Sequence, residues 1–216
     1  MKTSVAALFL YSSVCLAQTA PDNTFSVNVN GKEWAGKATR LRFPAGVARY
    51  VAIAGMSTKP DIQTWIRIYY TVTDLKPGTY PVYTEKGLDE AVDKQHGIGV
   101  FPLIDYSEET KGMGGAFHDG ESTENGTLTI TKVTDSGIEG TFEAKLKGVF
   151  YKKRVMATLN GSGLFGNMQD KAITGAGGGM LVKADPHDHD NCKKTNETDE
   201  ITLTNGKFKV SWAKQP

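Results

Sequence analysis

The sequence predicts an all-β protein: a single antiparallel β-sandwich or partly closed barrel with hairpin (meander) connections and at most one short helix. Polar and apolar residues alternate over short segments rich in valine, threonine and aromatic residues, and glycine, asparagine and aspartate separate these segments. Two Asn-Gly pairs, at 30–31 and 205–206, each lie between alternating segments. Because Asn-Gly favours the tight turn that joins two antiparallel strands, each pair predicts a β-hairpin.

The N-terminal residues 1–17 predict a signal peptide, and residues 18–216 predict a single all-β domain. A basic start precedes a short apolar run, and small residues at Cys15 and Ala17 favour cleavage before Gln18. A lipid anchor on Cys15 would need a small residue before it, where this chain has a valine. We therefore expect an exported protein, periplasmic or secreted, rather than a lipid-anchored one.

Charge, hydropathy and cysteine content together argue against nucleic-acid binding, a transmembrane segment and a disulfide. The chain has 25 basic and 24 acidic residues, and removal of Lys2 with the signal peptide leaves 24 of each. A formally neutral chain argues against a nucleic-acid-binding protein. No later apolar run is long enough to span a bilayer, so no transmembrane segment is expected. Only Cys192 follows the signal peptide, so no intrachain disulfide can form and the core must supply the stability.

The two Asn-Gly hairpins fix a register by counting outward from each turn. The first turn places Val27 opposite Trp34, and the second places Leu203 opposite Phe208. A middle hairpin needs a three-residue loop at 135–137, because that loop places Ile130 opposite Phe142 and both on the core face.

The rest of the chain adds further strands and one helical segment. The helix is predicted at 87–95, and the polar stretch 117–126 suits a solvated loop tip. Further strands are predicted at 49–55, 64–74, 78–84, 97–104, 155–165 and 178–184.

Five segments of the chain share a pattern: NVNGKEW, GTY, GTLTIT, GIEGTFEAKL and ITLTNGKFKV. Together they resemble a family of uncharacterised exported β-proteins from Bacteroidetes-type bacteria. The resemblance implies an all-β fold and export, and it supplies no activity and no catalytic residues. Many members carry a lipoprotein cysteine, and this chain departs from them because Val14 precedes Cys15.

One strand presents an aromatic–arginine–aromatic row. In TWIRIYYTVT, Trp65, Arg67 and Tyr69 share one face, while Ile66 and Ile68 share the other. Such a row suits stacking on a sugar ring or a peptide, so these three residues are candidate ligand contacts. The partner would be an unknown small molecule, a glycan or an envelope protein. The alternative is that both faces of the strand are covered and the row is structural.

The stretch KADPHDHDNC is the candidate metal site. In an extended chain Asp185, His187 and His189 share one face, and a turn could instead bring both histidines to Cys192. Zn²⁺ or Cu²⁺ would suit these ligands. The alternative is a polar loop that takes up metal weakly.

The stretch FHDGESTENG offers acid–base groups: His118, Asp119, Glu121 and Glu124. Asp119 or Glu121 could serve a hydrolase as loop carboxylates. The chain has no Gly-x-Ser-x-Gly or His-Glu-x-x-His motif. We therefore expect an exported, non-catalytic β-module that binds a ligand or an envelope partner. A metal-binding protein and a hydrolase are the alternatives.

Overall fold

A computed structural model describes residues 23–43, 49–57, 61–71, 75–96, 98–110, 116–153, 189 and 192–212. It confirms the predicted fold class, because the described elements are ten antiparallel strands in one sheet and one short helix. The elements are β1 Thr24–Val29, β2 Lys32–Phe43, β3 Arg49–Met56, β4 Asp61–Tyr70, β5 Gly78–Pro81, α1 Glu85–Lys94, β6 Val100–Thr110, β7 Ala116–Glu121, β8 Gly126–Thr134, β9 Gly137–Lys153 and β10 Cys192–Ser211.

The sheet partly closes into a ring. Its strand order is β10-β1-β2-β3-β4-β6-β7-β9-β8-β5, and a further pairing of β10 with β9 joins the two sides. The long strand β9 makes this possible. One edge of β9 pairs with β10, and its other edge pairs with β8 over 137–144 and with β7 over 147–152.

The inside of the ring is filled by apolar side chains. In β9, Phe142 and Leu146 are buried while Glu143 and Lys145 are exposed, which is the period-two alternation of a half-buried strand. Each fully buried Leu, Ile or Phe stabilises the fold by about 1.5–3 kcal/mol relative to an exposed one. The largest fully buried side chains in the ring are Phe25, Phe142, Ile53, Ile66, Ile68, Ile104, Leu128, Ile130, Ile138 and Leu146.

The first predicted hairpin is confirmed. Val27 pairs with Trp34, and the rings of Trp34 and Phe25 meet edge to face at 5.6 Å. Asn30 and Gly31 have φ angles of 50° and 80°, so both turn residues adopt the left-handed conformation that this turn type requires.

The predicted hairpin at the second Asn-Gly pair is wrong. Strand β10 continues straight through Asn205 and Gly206, and the register with β9 shifts between Leu203 and Gly206. Asn205 has φ 55°, so the left-handed residue forms a bulge rather than a turn. Gly206 is needed there because a Cβ would lie 2.6 Å from the ring of Phe142. Leu203 therefore pairs with Ala144 of β9 instead of with Phe208.

The middle hairpin exists, but its predicted register is two residues out. Leu128 pairs with Phe142, and Ile130 pairs with Gly140. The turn has two residues, 135–136, and a register shift between Ile130 and Lys132 takes up the extra residue. Because the error is two residues as far as Ile130, the side chains up to that residue keep their predicted face; beyond the shift, Val133 packs against the core instead of Lys132. The glycine at 140 is where the ring of Phe208 packs, since a Cβ there would lie 2.6 Å from that ring.

Helix α1 covers part of the outer surface of the sheet. Thr84 caps it by accepting a hydrogen bond from the Gly87 amide at 2.9 Å. Its buried residues Leu88 and Ala91 pack against Phe101 of β6. The predicted helix is confirmed in place and type. No helix in the described ranges is long and apolar enough to cross a membrane.

The predicted loop at 117–126 is wrong over its first half. Residues 116–121 form β7, which pairs with β6 on one edge and with β9 on the other. Its polar residues are compatible with a central strand because Asp119 is paired with other polar side chains. The strands predicted at 155–165 and 178–184 lie outside the described residues.

Candidate functional site

Strand β4 presents the predicted row of Trp65, Arg67 and Tyr69 on the outside of the ring. The opposite face is confirmed as core, since Ile66 and Ile68 are fully buried. Trp65 and Arg67 are also buried, at 7% and 4% exposure, whereas Tyr69 is half-buried. Of the three candidate contacts, Tyr69 therefore offers the most surface to a ligand.

Arg67 is held in an internal ion-pair network. Its Nε donates to Oδ2 of Asp105 at 2.7 Å, and its Nη2 pairs with Glu85 at the start of α1. Burial alone lowers the pKa of the Arg67 guanidinium, but Asp105, Glu85 and Tyr69 act against it, and the net pKa is raised above its ordinary value. The guanidinium is thus charged and paired with two carboxylates of the protein itself, and these ion pairs join α1 to β4 and β6.

A groove of about 380 Å³ lies between α1 and the neighbouring ends of β4 and β6. Much of its surface is apolar, and two exposed carboxylates, Asp89 and Asp93, lie along it one helical turn apart. A concave, largely apolar surface with a few polar groups has the form of a small-ligand site. The groove is lined by Tyr69, Thr71, Leu88, Asp89, Val92, Asp93 and Phe101.

The outer face of β7 carries a second polar cluster. The Oδ1 of Asp119 accepts a hydrogen bond from the Ser107 hydroxyl at 2.8 Å, and its Oδ2 lies 2.6 Å from Nε2 of His189. Asp119 is fully buried. The imidazole of His189 stacks on Phe117 with ring centroids 3.8 Å apart, and the ring of Tyr151 meets its edge. Residue 189 is thereby joined to the barrel at β7 and β9.

The inner face of β7 carries a similar pair at one end of the ring. His118 stacks on Phe150 with centroids 4.2 Å apart, and its Nε2 lies 3.0 Å from Oδ1 of Asp199. Beside it, the Tyr106 hydroxyl donates to Glu108 at 2.9 Å. Burial raises the pKa of the Tyr106 phenol, and the neighbouring carboxylates of Glu108 and Asp119 raise it further.

The carboxylates proposed for a hydrolase are not on a solvated loop tip. Asp119 is a buried strand residue, and Glu121 pairs with Lys194 and lies 3.8 Å from Lys147. The Ser107 hydroxyl and the His189 ring both bond to Asp119. A nucleophilic triad instead needs the histidine between the hydroxyl and the carboxylate. This cluster therefore lacks that geometry.

The predicted metal ligands are only partly described, because Asp185 and His187 lie outside the described residues. The Cys192 amide donates a hydrogen bond to the His189 carbonyl at 3.2 Å. No three His, Cys, Asp or Glu side chains of the described part are grouped to hold a metal ion. The metal site stays a prediction. One feature favours it: a carboxylate on one imidazole nitrogen is how metal-ligating histidines are commonly oriented.

Sequence reasoning missed the partners of these groups. The partner of Asp105 could have been predicted. Asp105 shares a strand face with Phe101 and Leu103, and a carboxylate on such an apolar face needs a buried charge partner. The role of Asp199 could not have been predicted, because it lies in a stretch of polar residues.

Comparisons with protein-family models, with curated proteins and with solved structures find no match for this chain.

Proposed function

We propose that this chain is an exported, non-catalytic β-barrel module that binds a small ligand in the groove between α1 and the ends of β4 and β6. The observation that carries the proposal is the half-buried ring of Tyr69 on a largely apolar groove with two exposed carboxylates. Export rests on the N-terminal pattern, and an intact mass that begins at Gln18 tests it.

The packing of the ring supports an external binding site. Its interior holds a continuous cluster of buried apolar side chains. Interiors packed in this way leave few voids larger than a water molecule, so a ligand binds more readily against the outer surface than among these side chains.

The arrangement of the polar groups supports binding over catalysis. His118 and His189 each direct Nε2 at a carboxylate, and Arg67 is neutralised by two acidic side chains. Groups arranged in this way hold strands and segments together. The groove, by contrast, combines an aromatic ring with carboxylates that have no hydrogen-bond or ion-pair partner among the described residues.

A metal-binding function is the second candidate, and the Asp119–His189 pair favours it. The Asp119 carboxylate lies 2.6 Å from Nε2 of His189, so the other ring nitrogen, Nδ1, would be the one to bind Zn²⁺ or Cu²⁺. A hydrolase remains an alternative without a comparable supporting observation.

The experiment is a chemical-shift titration of the ¹⁵N-labelled protein with four probes: n-butylammonium, butan-1-ol, butyrate and methyl glucoside. We expect at least one probe to shift the amide signals of Tyr69, Thr71 and Val92 in a saturable manner. Tyr69→Leu should weaken that binding, whereas Tyr80→Leu, a half-buried tyrosine on β5, should leave it unchanged. Saturable shifts confined to another surface, or none with any probe, would overturn the proposal.

A further inference from the structure

We infer that the ligand of the α1 groove is a small organic cation with a primary ammonium group. The inference rests on the proposed binding function and names the chemistry of its ligand. Three features of the groove lead to it: its unpaired carboxylates, its aromatic wall and its size.

The two carboxylates of the groove lack a cation. Asp89 and Asp93 are four residues apart on α1, so they lie on one face of the helix and repel each other. Neither side chain has a hydrogen bond or ion pair within the described residues. Glu90, on another face of the same helix, lies 3.8 Å from Lys86 and 3.6 Å from Lys94. The helix therefore neutralises its outward carboxylate and leaves the two on the groove available.

The wall of the groove suits an alkylammonium ion. Tyr69 lines the groove, and an aromatic ring attracts a cation through its quadrupole. Phe101, Leu88 and Val92 supply apolar contact for the alkyl part. No lysine, arginine or histidine is among the residues that line the groove. An ammonium group has three N–H donors, enough to bond to both carboxylates at once.

The size of the groove favours a free small molecule over a segment of a partner protein. Its volume of about 380 Å³ is near the lower end of the range for ligand pockets, about 300–1,000 Å³. A peptide or protein partner needs a longer surface.

The test compares n-butylammonium with butan-1-ol, which has a similar shape without the charge, in ¹⁵N chemical-shift titrations. Butylammonium should bind the groove more tightly, and added salt should weaken its binding. Asp89→Asn and Asp93→Asn should each weaken it about fivefold, and together about twenty-five-fold, because each removes one exposed charge contact. Glu90→Gln, on the same helix but outside the groove, is the control and should change the affinity for butylammonium less than twofold.

The outcomes separate the two proposals. Equal binding of butan-1-ol and butylammonium at the groove, unaffected by the aspartate variants, would refute the cation and leave the binding function standing. No saturable shift at the groove with any of the four probes would refute both. Binding only of the peptide acetyl-Ala-Lys-Ala-amide, and not of butylammonium, would show that the occupant is a protein side chain and overturn the free-cation assignment. Both aspartates are exposed, so their replacement should leave the fold intact.

Discussion

Replacement of Asp105 by asparagine removes the negative charge from a side chain that lies 2.7 Å from Nε of Arg67. Both side chains are almost fully buried, with 5% of the Arg67 side chain and 2% of the Asp105 side chain exposed. The second partner of Arg67, Glu85, is 66% exposed and therefore screened by solvent. In the variant, the only remaining negative partner of the buried guanidinium in this network is Glu85, whose charge is screened by solvent.

The expected loss follows from this difference in burial. Breaking a buried ion pair by removal of one partner costs about 3–5 kcal/mol. Asparagine keeps an oxygen that can accept from Nε, and Glu85 remains in place, so we expect Asp105→Asn to lose about 3 kcal/mol, the low end of that range. The matched control, Glu85→Gln, should lose less than about 1 kcal/mol. Replacement of both buried partners, Arg67→Met with Asp105→Leu, should fall within about 1 kcal/mol of the wild type.

Urea unfolding at pH 7, followed by circular dichroism, measures these values, and an unchanged m-value shows that the comparison is valid. A loss below about 0.5 kcal/mol for Asp105→Asn would show that the guanidinium is not buried against this carboxylate. A loss for Glu85→Gln equal to that for Asp105→Asn would refute the reasoning as well, because it would mean that burial does not set the strength of the two pairs.

Four further predictions concern the bulge, the buried phenol, the histidine contact and the effect of zinc. Gly206→Ala should cost about 1–3 kcal/mol in urea unfolding, because its Cβ would meet the ring of Phe142. The pKa of Tyr106 in the folded protein is raised above that of the unfolded phenol, so Tyr106 stabilises the fold fully below about pH 10. Above that pH the free energy of unfolding should fall by about 1.4 kcal/mol per pH unit, and Tyr106→Phe should reduce this slope. His189→Ala should cost about 1–3 kcal/mol, because buried Asp119 loses a hydrogen-bond partner. Zn²⁺ should not change the unfolding free energy of the wild type; a stoichiometric metal that co-purifies and that His189→Ala loses would instead favour the metal-binding alternative.

The parts of the fold that depend on local pattern could be predicted from the sequence. Alternation in β4 separates Ile66 and Ile68 from the outer row correctly, because the period of two is a property of the strand itself. The first hairpin was predictable for the same reason: Asn30-Gly31 and the residues beside it contain the whole turn. Each of these features needs information from only a few neighbouring residues.

The parts that depend on distant partners could not be predicted. Asn205-Gly206 forms a bulge because β10 pairs with β9 on one edge and with β1 on the other, and neither pairing is visible near the Asn-Gly pair. Asp119 was interpreted as a loop carboxylate because its partners, Ser107 and His189, are 12 and 70 residues away along the chain. A polar residue in a strand can be interpreted correctly only when its partner is known.

The candidate site was predicted in part. The row of Trp65, Arg67 and Tyr69 lies on one face, as expected, but the sequence could not show that Asp105 and Glu85 would satisfy the arginine. Nor could it place α1 beside Tyr69, because the approach of the helix to the sheet is a tertiary contact. The groove exists only through that contact.

The most direct measurement is a set of intermolecular nuclear Overhauser effects between n-butylammonium and the labelled protein. We predict effects from the butyl protons to the ring of Tyr69 and to the methyl groups of Val92, because both residues line the groove. Effects from the ligand to His118 and Phe150 at the end of the ring, or to the exposed face of β9 and β10, would contradict binding in the α1 groove.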